Sequence, residues 1–342
     1  RRPPTPGRAI ISASRAAATG VPTTAPLAAS MLSSSVQAAG PQRGGHLKCG
    51  LEGGASTDVL DPGKSSSQVT FVCNRTWGDT LVETHPTTGE AVPALAESWE
   101  ASPDAKVWTF KIRKGVSFHN GKEVTIDDVV ATLKRHNDEQ SQSGALGIMK
   151  TISDIKKDGA DLVVTLDNGN ADLPLLFTDY HLVIQPGGGV DDPNAGIGTG
   201  PYKVVSFEPG VRAAFEKNEN DWRDDRGFVD SIEILVINDA TARTAALSSN
   251  QVHFINRVDP KTVGLLKRAP HIEIQNTSGR GHYVFIMHCD TEPFANNDLR
   301  LALKYAMDRE TMVEKILRGF GKVGNDFPIN ESYALFPDDV EQ

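Results

Sequence analysis

The sequence predicts an α/β chain, more strictly a mixed α+β one, spread over more than one lobe. Three observations carry that expectation. Segments with period-two alternation are interleaved, in irregular order and without any repeat, with segments whose apolar residues recur at helical spacing. The 342 residues exceed what one hydrophobic core comfortably organises. The composition, 39% hydrophobic and 23% charged, is that of an ordinary soluble protein, so lobes built by burial are the default.

The first 42 residues differ in kind from the rest. Arg1, Arg2, Arg8 and Arg15 are their only charges, and Ala, Ser, Thr and Pro dominate. The apolar run is broken by Gly20, Pro22 and Pro26, which excludes a membrane span. Val36-Gln37-Ala38 offers a small-residue cleavage site before Gly40-Pro41. Residues 1–42 therefore read as an export leader, of twin-arginine rather than general secretory character, or as a disordered tail. Setting its four arginines aside leaves 31 basic against 44 acidic residues, a body charge of about −13. That balance excludes a nucleic-acid footprint, which needs clustered positive charge.

The body opens with a strand over 45–51, ended by Gly53-Gly54, and a turn at Asp61-Pro62-Gly63. Trp77 and Leu81 share a helical face within 69–83, and 94–99 reads as a short apolar turn. Trp108, Phe110 and Ile112 alternate with Thr109, Lys111 and Arg113 as a half-buried strand. Asn120-Gly121 turns the chain into a helix that Thr125 and Asp128 cap reciprocally. Ile126, Val129, Val130 and Leu133 form its apolar stripe, with acids in the first turn and Lys134 and Arg135 near its end. A hairpin around Asp158-Gly159, a short helix over 172–177 and a strand over 181–185 follow.

Tyr202 to Phe207 and Val211 to Glu216 alternate on either side of Pro209-Gly210, a second hairpin. Ile232 to Ile237 is apolar on both faces and so expects burial on both. Asp239 caps a helix through Leu247, and Asp259-Pro260 opens another that stops before Pro270. Strands are expected over 271–275 and 282–288. Tandem helices follow over 298–307 and 309–318, with Asp308 capping the second and Gly319 closing it.

Catalytic motifs are not what this chain offers. It has no GxSxG elbow, Walker loop, HExxH or CxxC pair. Gly187-Gly188-Gly189 and Gly198-Thr199-Gly200 do not open helices, so neither cradles phosphate. Asp224-Asp225 and Asp338-Asp339 read as solvated surface. His119 reads as a turn histidine facing solvent. His282 and His288 share a strand face but sit about 20 Å apart, too far to hold one ion together. Cys49, Cys73 and Cys289 fit no metal pattern; Cys49 and Cys73 either pair in an oxidising compartment or stay as buried thiols. No metal and no cofactor are expected.

Three blocks carry a resemblance. LAESWEASPDAKVWTFKIRKGVSFHNGKEVTIDDVVATLKR, GTGPYKVVSFEPGVRAAFEKNENDW and EPFANNDLRLALKYAMDRETMVEKILRGFGKV occur in order and spacing. Together they resemble the family 5 extracellular solute-binding proteins of ABC importers, the peptide- and nickel-binding group. The resemblance implies a periplasmic-binding-protein-like two-lobed fold with an extra accessory lobe and an incomplete second lobe. Lobe one would comprise 43–82 and 183–279, the accessory lobe 83–182, and the start of lobe two 280–342. It implies a non-enzymatic receptor, periplasmic and monomeric, that takes a small-molecule or peptide solute into the inter-lobe cleft and docks on a membrane permease. By position, Ser65, Ser66, Ser67 and Gln68 would line the cleft. His282 and Tyr283 would sit by the ligand on the outgoing crossing, and Gly279 and Gly281 would serve as hinge. The rival readings are an exported hydrolase and a metal or haem carrier on the same scaffold.

Overall fold

The computed structural model describes residues 41–277, 279, 281–324, 326, 329, 330, 333 and 336. The chain divides into Arg1–Gly40 and Pro41–Gln342, and all described residues lie in the second unit. The leader or tail expected over 1–42 falls outside the described residues, apart from its last two. No helix among the described residues is long and apolar enough to cross a membrane.

In chain order the elements are β1 (His46–Leu51), α1 (Gln68–Trp77), β2 (Val82–Thr84), β3 (Ala91–Pro93), β4 (Ala96–Ala101), β5 (Val107–Ile112) and α2 (Ile126–Asn137). Then come α3 (Leu146–Met149), β6 (Ile152–Asp158), β7 (Asp161–Leu166), α4 (Leu173–Leu176), β8 (Tyr202–Glu208), β9 (Arg212–Lys217) and β10 (Ser231–Val236). Last are α5 (Ala240–Ser248), β11 (Phe254–Ile255), α6 (Val263–Leu266), α7 (Asn297–Tyr305) and α8 (Arg309–Lys315).

The first sheet has the order β11-β1-β10-β9-β8, with β1 parallel to both β10 and β11. One face packs on α1 through Leu51, Val69, Cys73, Trp77, Phe215 and Ile234. The other packs on α5 through Ala246, Val252 and Ile255, with Leu235 and Ile237 beside them. Covering both faces is why β10 carries apolar residues on both of its faces, Ile232, Ile234 and Val236 on one and Leu235 on the other. In β8 a bulge between Val204 and Ser206 breaks the alternation expected of that hairpin. The extra residue, Val205, is left exposed, while Val204 and Phe207 both reach the core.

The second sheet, β4-β5-β7-β6, is antiparallel. Phe110, Val129, Leu133, Leu162, Val164 and Phe177 form its core beneath α2. The capping box at Thr125 and Asp128 forms as expected: the Asp128 amide donates to Thr125 Oγ1, and the Thr125 amide donates to Asp128 Oδ2.

Two stretches carry the chain between these cores. Around 77–82, Trp77 belongs to the first core, and Leu81 and Val82 to the second. Around 182–184, Val183 belongs to the first, and Leu182 and Ile184 to the second. The crossings are tied by the Ile184 amide donating to the Asp79 carbonyl at 3.0 Å.

This arrangement explains where the structure departs from the sequence reading. The helix expected over 69–83 stops at Gly78, where a Cβ would lie 2.2 Å from Val183 Cγ1. The stretch 181–185 is not a strand; its bonds go to Asp79 and to Thr132 Oγ1 instead of a ladder. The helix expected after Asp259-Pro260 is the single turn α6. Strands expected over 271–275 and 282–288 are not formed. A strand exists only through a pairing neighbour, and no described segment pairs there; Tyr283 is 87% and Ile286 75% exposed. His119 is half-buried rather than solvated. Its Nε2 donates to the Gly200 carbonyl at 3.0 Å and its Nδ1 accepts from the Gly198 amide, bonds that fit the neutral ring.

A buried charge network stands where the chain first crosses between the two cores. Asp79, 3% exposed, accepts from both Arg226 terminal nitrogens, at 2.6 and 2.9 Å, from the Trp222 indole and from the Thr199 hydroxyl. Burial pushes the Asp79 carboxyl up, but these donors outweigh it and hold the group below its ordinary value. Arg226 also grips Asp221, and the Arg113 guanidinium lies over the Trp222 ring.

Candidate functional site

Strands β1, β10 and β11 run parallel, so their carboxyl ends open on the same sheet edge. In open α/β sheets such an edge is where ligands bind. Here it is built from the residues immediately following each strand: Glu52-Gly53 after β1, Asn238 shortly after β10, and Asn256-Arg257 after β11.

Each strand end is stitched to its neighbour. The Glu52 amide donates to Asn256 Oδ1 at 2.9 Å, and the Gly53 amide donates to Asn238 Oδ1 at 2.9 Å. Asn238 Nδ2 returns a bond to the Gly54 carbonyl. Gly53 has φ +91°, and a Cβ there would stand 2.9 Å from the Cβ of Gln68. The residue must be glycine for the strand end and the start of α1 to approach this closely.

Arg243, 1% exposed, sits beneath the edge on α5. Its guanidinium donates to the carbonyls of Ile237, Asn238, Asn256 and Arg257 and to Glu52 Oε2 at 2.8 Å. One buried cation thereby closes three loop ends and is itself neutralised by Glu52, as buried charge requires. The other Glu52 oxygen, Oε1, accepts from Arg257 at 2.9 Å. Arg257 holds a left-handed φ of 47°, uncommon outside glycine and enriched at functional positions. Its side chain is 58% exposed and touches Gln68 Oε1 at 3.4 Å. The edge thus presents a planar donor fork, held by Glu52, beside the Gln68 amide. Such a surface is suited to a carboxylate or other planar acceptor.

The candidate residues from the sequence distribute unevenly around this edge. Gln68 lies in it, and Ser66, two residues ahead in the chain, is exposed. Ser67 is the N-cap of α1: its Oγ accepts from the Thr70 amide at 3.1 Å and Thr70 Oγ1 accepts from the Ser67 amide. Ser65 is buried; its Oγ accepts from Asn74 Nδ2 at 2.8 Å and its carbonyl accepts from His181. His282 and Tyr283 are exposed, and no described contact joins them to the edge. Gly279 accepts from Asn330 through its carbonyl, and a Cβ at Gly279 or Gly281 would meet nothing.

Glu52, Asn238, Arg243, Asn256 and Arg257 were missed in the sequence. The one signal available was that an asparagine stands just past two of the strands. All three cysteines are free thiols, which closes the question of a Cys49–Cys73 pair. Among the described residues no three His, Cys, Asp or Glu side chains converge where an ion could be held.

Comparison with known proteins adds the following. Residues 90–342 match the family model described as bacterial extracellular solute-binding proteins, family 5, middle region. Di/tripeptide-binding protein 1 of Pseudomonas aeruginosa is 25% identical over 265 residues, covering 69% of this chain and 49% of that protein. Heme-binding protein A of Haemophilus influenzae is 27% identical over 289 residues, covering 76% and 52%. The solved structure of the oligopeptide-binding protein AppA of Bacillus subtilis, in complex with a nonapeptide, superposes with a TM-score of 0.74 at 23% identity, covering 88% of this chain and 61% of that one. The chain spans about half the length of the curated relatives it matches.

Proposed function

Because this chain belongs to the bacterial extracellular solute-binding proteins of family 5, we propose that it is the receptor component of an ABC import system. It captures a peptide-like or other small solute and delivers it to a membrane permease. On this reading it acts outside the cytoplasmic membrane, in the periplasm, as a monomer without a cofactor, and residues 1–42 serve its export. Lobe one is the 43–82 and 183–279 part, 83–182 the accessory lobe, and 280–342 the entry to lobe two, with Gly279 and Gly281 at the pivot.

The observation that supports this best is the Glu52–Arg257–Gln68 edge. It is a charged, pre-ordered surface whose exposed guanidinium is backed by a buried one. An edge organised in the free protein avoids the ordering cost that binding otherwise imposes. Closure then follows from tighter binding to the closed form. Ser66, His282 and Tyr283 are the further candidates for contact.

Thermal-shift screening against di- and tripeptides, haem and nickel tests the proposal, with mass spectrometry of the recovered solute. The expected result is stabilisation by one solute class, recovered unchanged. Arg257→Ala should then weaken binding about tenfold, or ~1.4 kcal/mol, without moving the unliganded Tm. Turnover of the solute, or full affinity in the variant, overturns the assignment.

A further inference from the structure

Among the described residues His136 and His181 are buried and His119 is half-buried, and their hydrogen bonds differ. His119 has one acceptor partner and one donor partner, which the neutral ring satisfies. His136 has a hydroxyl at Nδ1, Ser143 Oγ at 2.6 Å, and no partner at Nε2. His181 is different. Its Nδ1 meets Asp179 Oδ1 at 2.6 Å and its Nε2 meets the Ser65 carbonyl at 2.9 Å. A carboxylate and a carbonyl both only accept, so both ring nitrogens must donate, and only the imidazolium does that.

Asp179 is the counter-ion of that ring. Burial pushes the Asp179 carboxyl up, but the His181 ring and amide bonds and the Arg75 charge hold it below its ordinary value, so it stays anionic. The groups around His181 come from five segments. Asp179 and Tyr180 lie on its own segment, the Tyr180 ring 4.0 Å away. Arg75, on α1, donates to the Thr178 carbonyl. His136, on α2, faces it across Gly63, with Arg135 and Asp61 paired to each other at 2.5 Å alongside. The loop ahead of α3 reaches it at Gly144, where a Cβ would lie 2.4 Å from His181 Nε2. The Gly144 amide donates to the Gly63 carbonyl at 2.8 Å. Three segments from two cores therefore meet on one imidazole.

We propose that His181 is a proton-operated latch that pins the 61–67 loop, and with it the start of α1, to the accessory lobe. With the ring protonated, both bonds stand. When the ring gives a proton to solvent, the Asp179 carboxylate retains Nδ1–H. The Nε2 lone pair then faces the lone pairs of the Ser65 carbonyl, and the loop loses that tie while Asp61 and Gly63 keep theirs. Ser65 is two residues before the Ser67 cap and three before Gln68, so the latch sets the order of the proposed binding edge. That last consequence rests on the receptor reading; the latch itself does not, and its test uses no solute.

The experiment is long-range nitrogen NMR of the whole chain labelled with ¹⁵N-histidine, between about pH 5 and about pH 9. Amide exchange of Lys64, Ser65 and Gly144 is measured over the same range and corrected for intrinsic rates. The expected result is an imidazolium signature at both His181 nitrogens on the acidic side. It gives way to an Nδ1–H tautomer as pH rises, with loop protection falling about tenfold in the same step. Asp179→Asn keeps an acceptor for the His181 amide but removes the charge, and should move that step to lower pH. A neutral His181 throughout, loop protection that ignores its titration, or an unmoved step in Asp179→Asn overturns the latch.

Discussion

Arg243 shows how one side chain organises residues far apart in sequence. Its five contacts close the ends of three strands, and only Glu52 among them carries charge. The thiols show burial acting the other way, on reactivity. Burial pushes the Cys49 thiol up to about 11. Burial, with the Asp58 charge adding to it, takes Cys73 to about 12. Cys289 is exposed. The thiolate is the reacting species, so at about pH 8 Cys289 should label on the order of a hundredfold faster than Cys49 or Cys73. Peptide mapping after brief alkylation checks this; equal labelling of Cys49 would contradict the packing of β1 on α1.

At the scale of elements, helix starts are governed by caps. Both α1 and α2 begin with a hydroxyl that accepts from the amide three residues on, and the third residue answers. Ser67 is therefore committed to α1 whatever else it does. Ser67→Ala should cost about 1 kcal/mol, read as a lower urea midpoint, whereas exposed Ser66→Ala should leave stability unchanged. Comparable losses in the two variants would remove the capping role. The bulge at Val205 is a second device at this scale. β8 is an edge strand, and its bulge interrupts the flat ladder that an edge would otherwise offer to another chain.

Across the whole molecule, Asp79 and Arg226 form the buried ion pair at the first crossing between the cores. Removing the guanidinium strands a buried carboxylate, so Arg226→Ala should destabilise by ~3–5 kcal/mol in chemical denaturation. The pH dependence follows from the depressed Asp79 carboxyl. Its contribution is full above the ordinary carboxylate value of 3.8 and is lost as pH falls through the lower folded value. Stability of the wild type should therefore fall more steeply below about pH 4 than that of Asp79→Asn. Parallel acid limbs for the two proteins would show that the Asp79 network contributes no stability.

What could be read from the sequence is what few neighbouring residues decide. The Thr125–Asp128 box, the alternation of Trp108, Phe110 and Ile112, and the turn at Pro209-Gly210 all depend on partners within one turn or one hairpin. The three blocks that carried the family resemblance are assembled largely from such local signals, and the match over 90–342 bears the family out. Helix length at Gly78 was not legible, because what stops α1 is Val183, a residue from the second crossing. Neither the candidate edge nor the buried pair at the crossing was legible: Arg243 finds Glu52 across 191 residues, and Arg226 finds Asp79 across 147. Local propensity and periodicity carry no information about which distant charges will share a buried site. Only the packed fold makes an unpaired buried charge too costly, and so selects these partners.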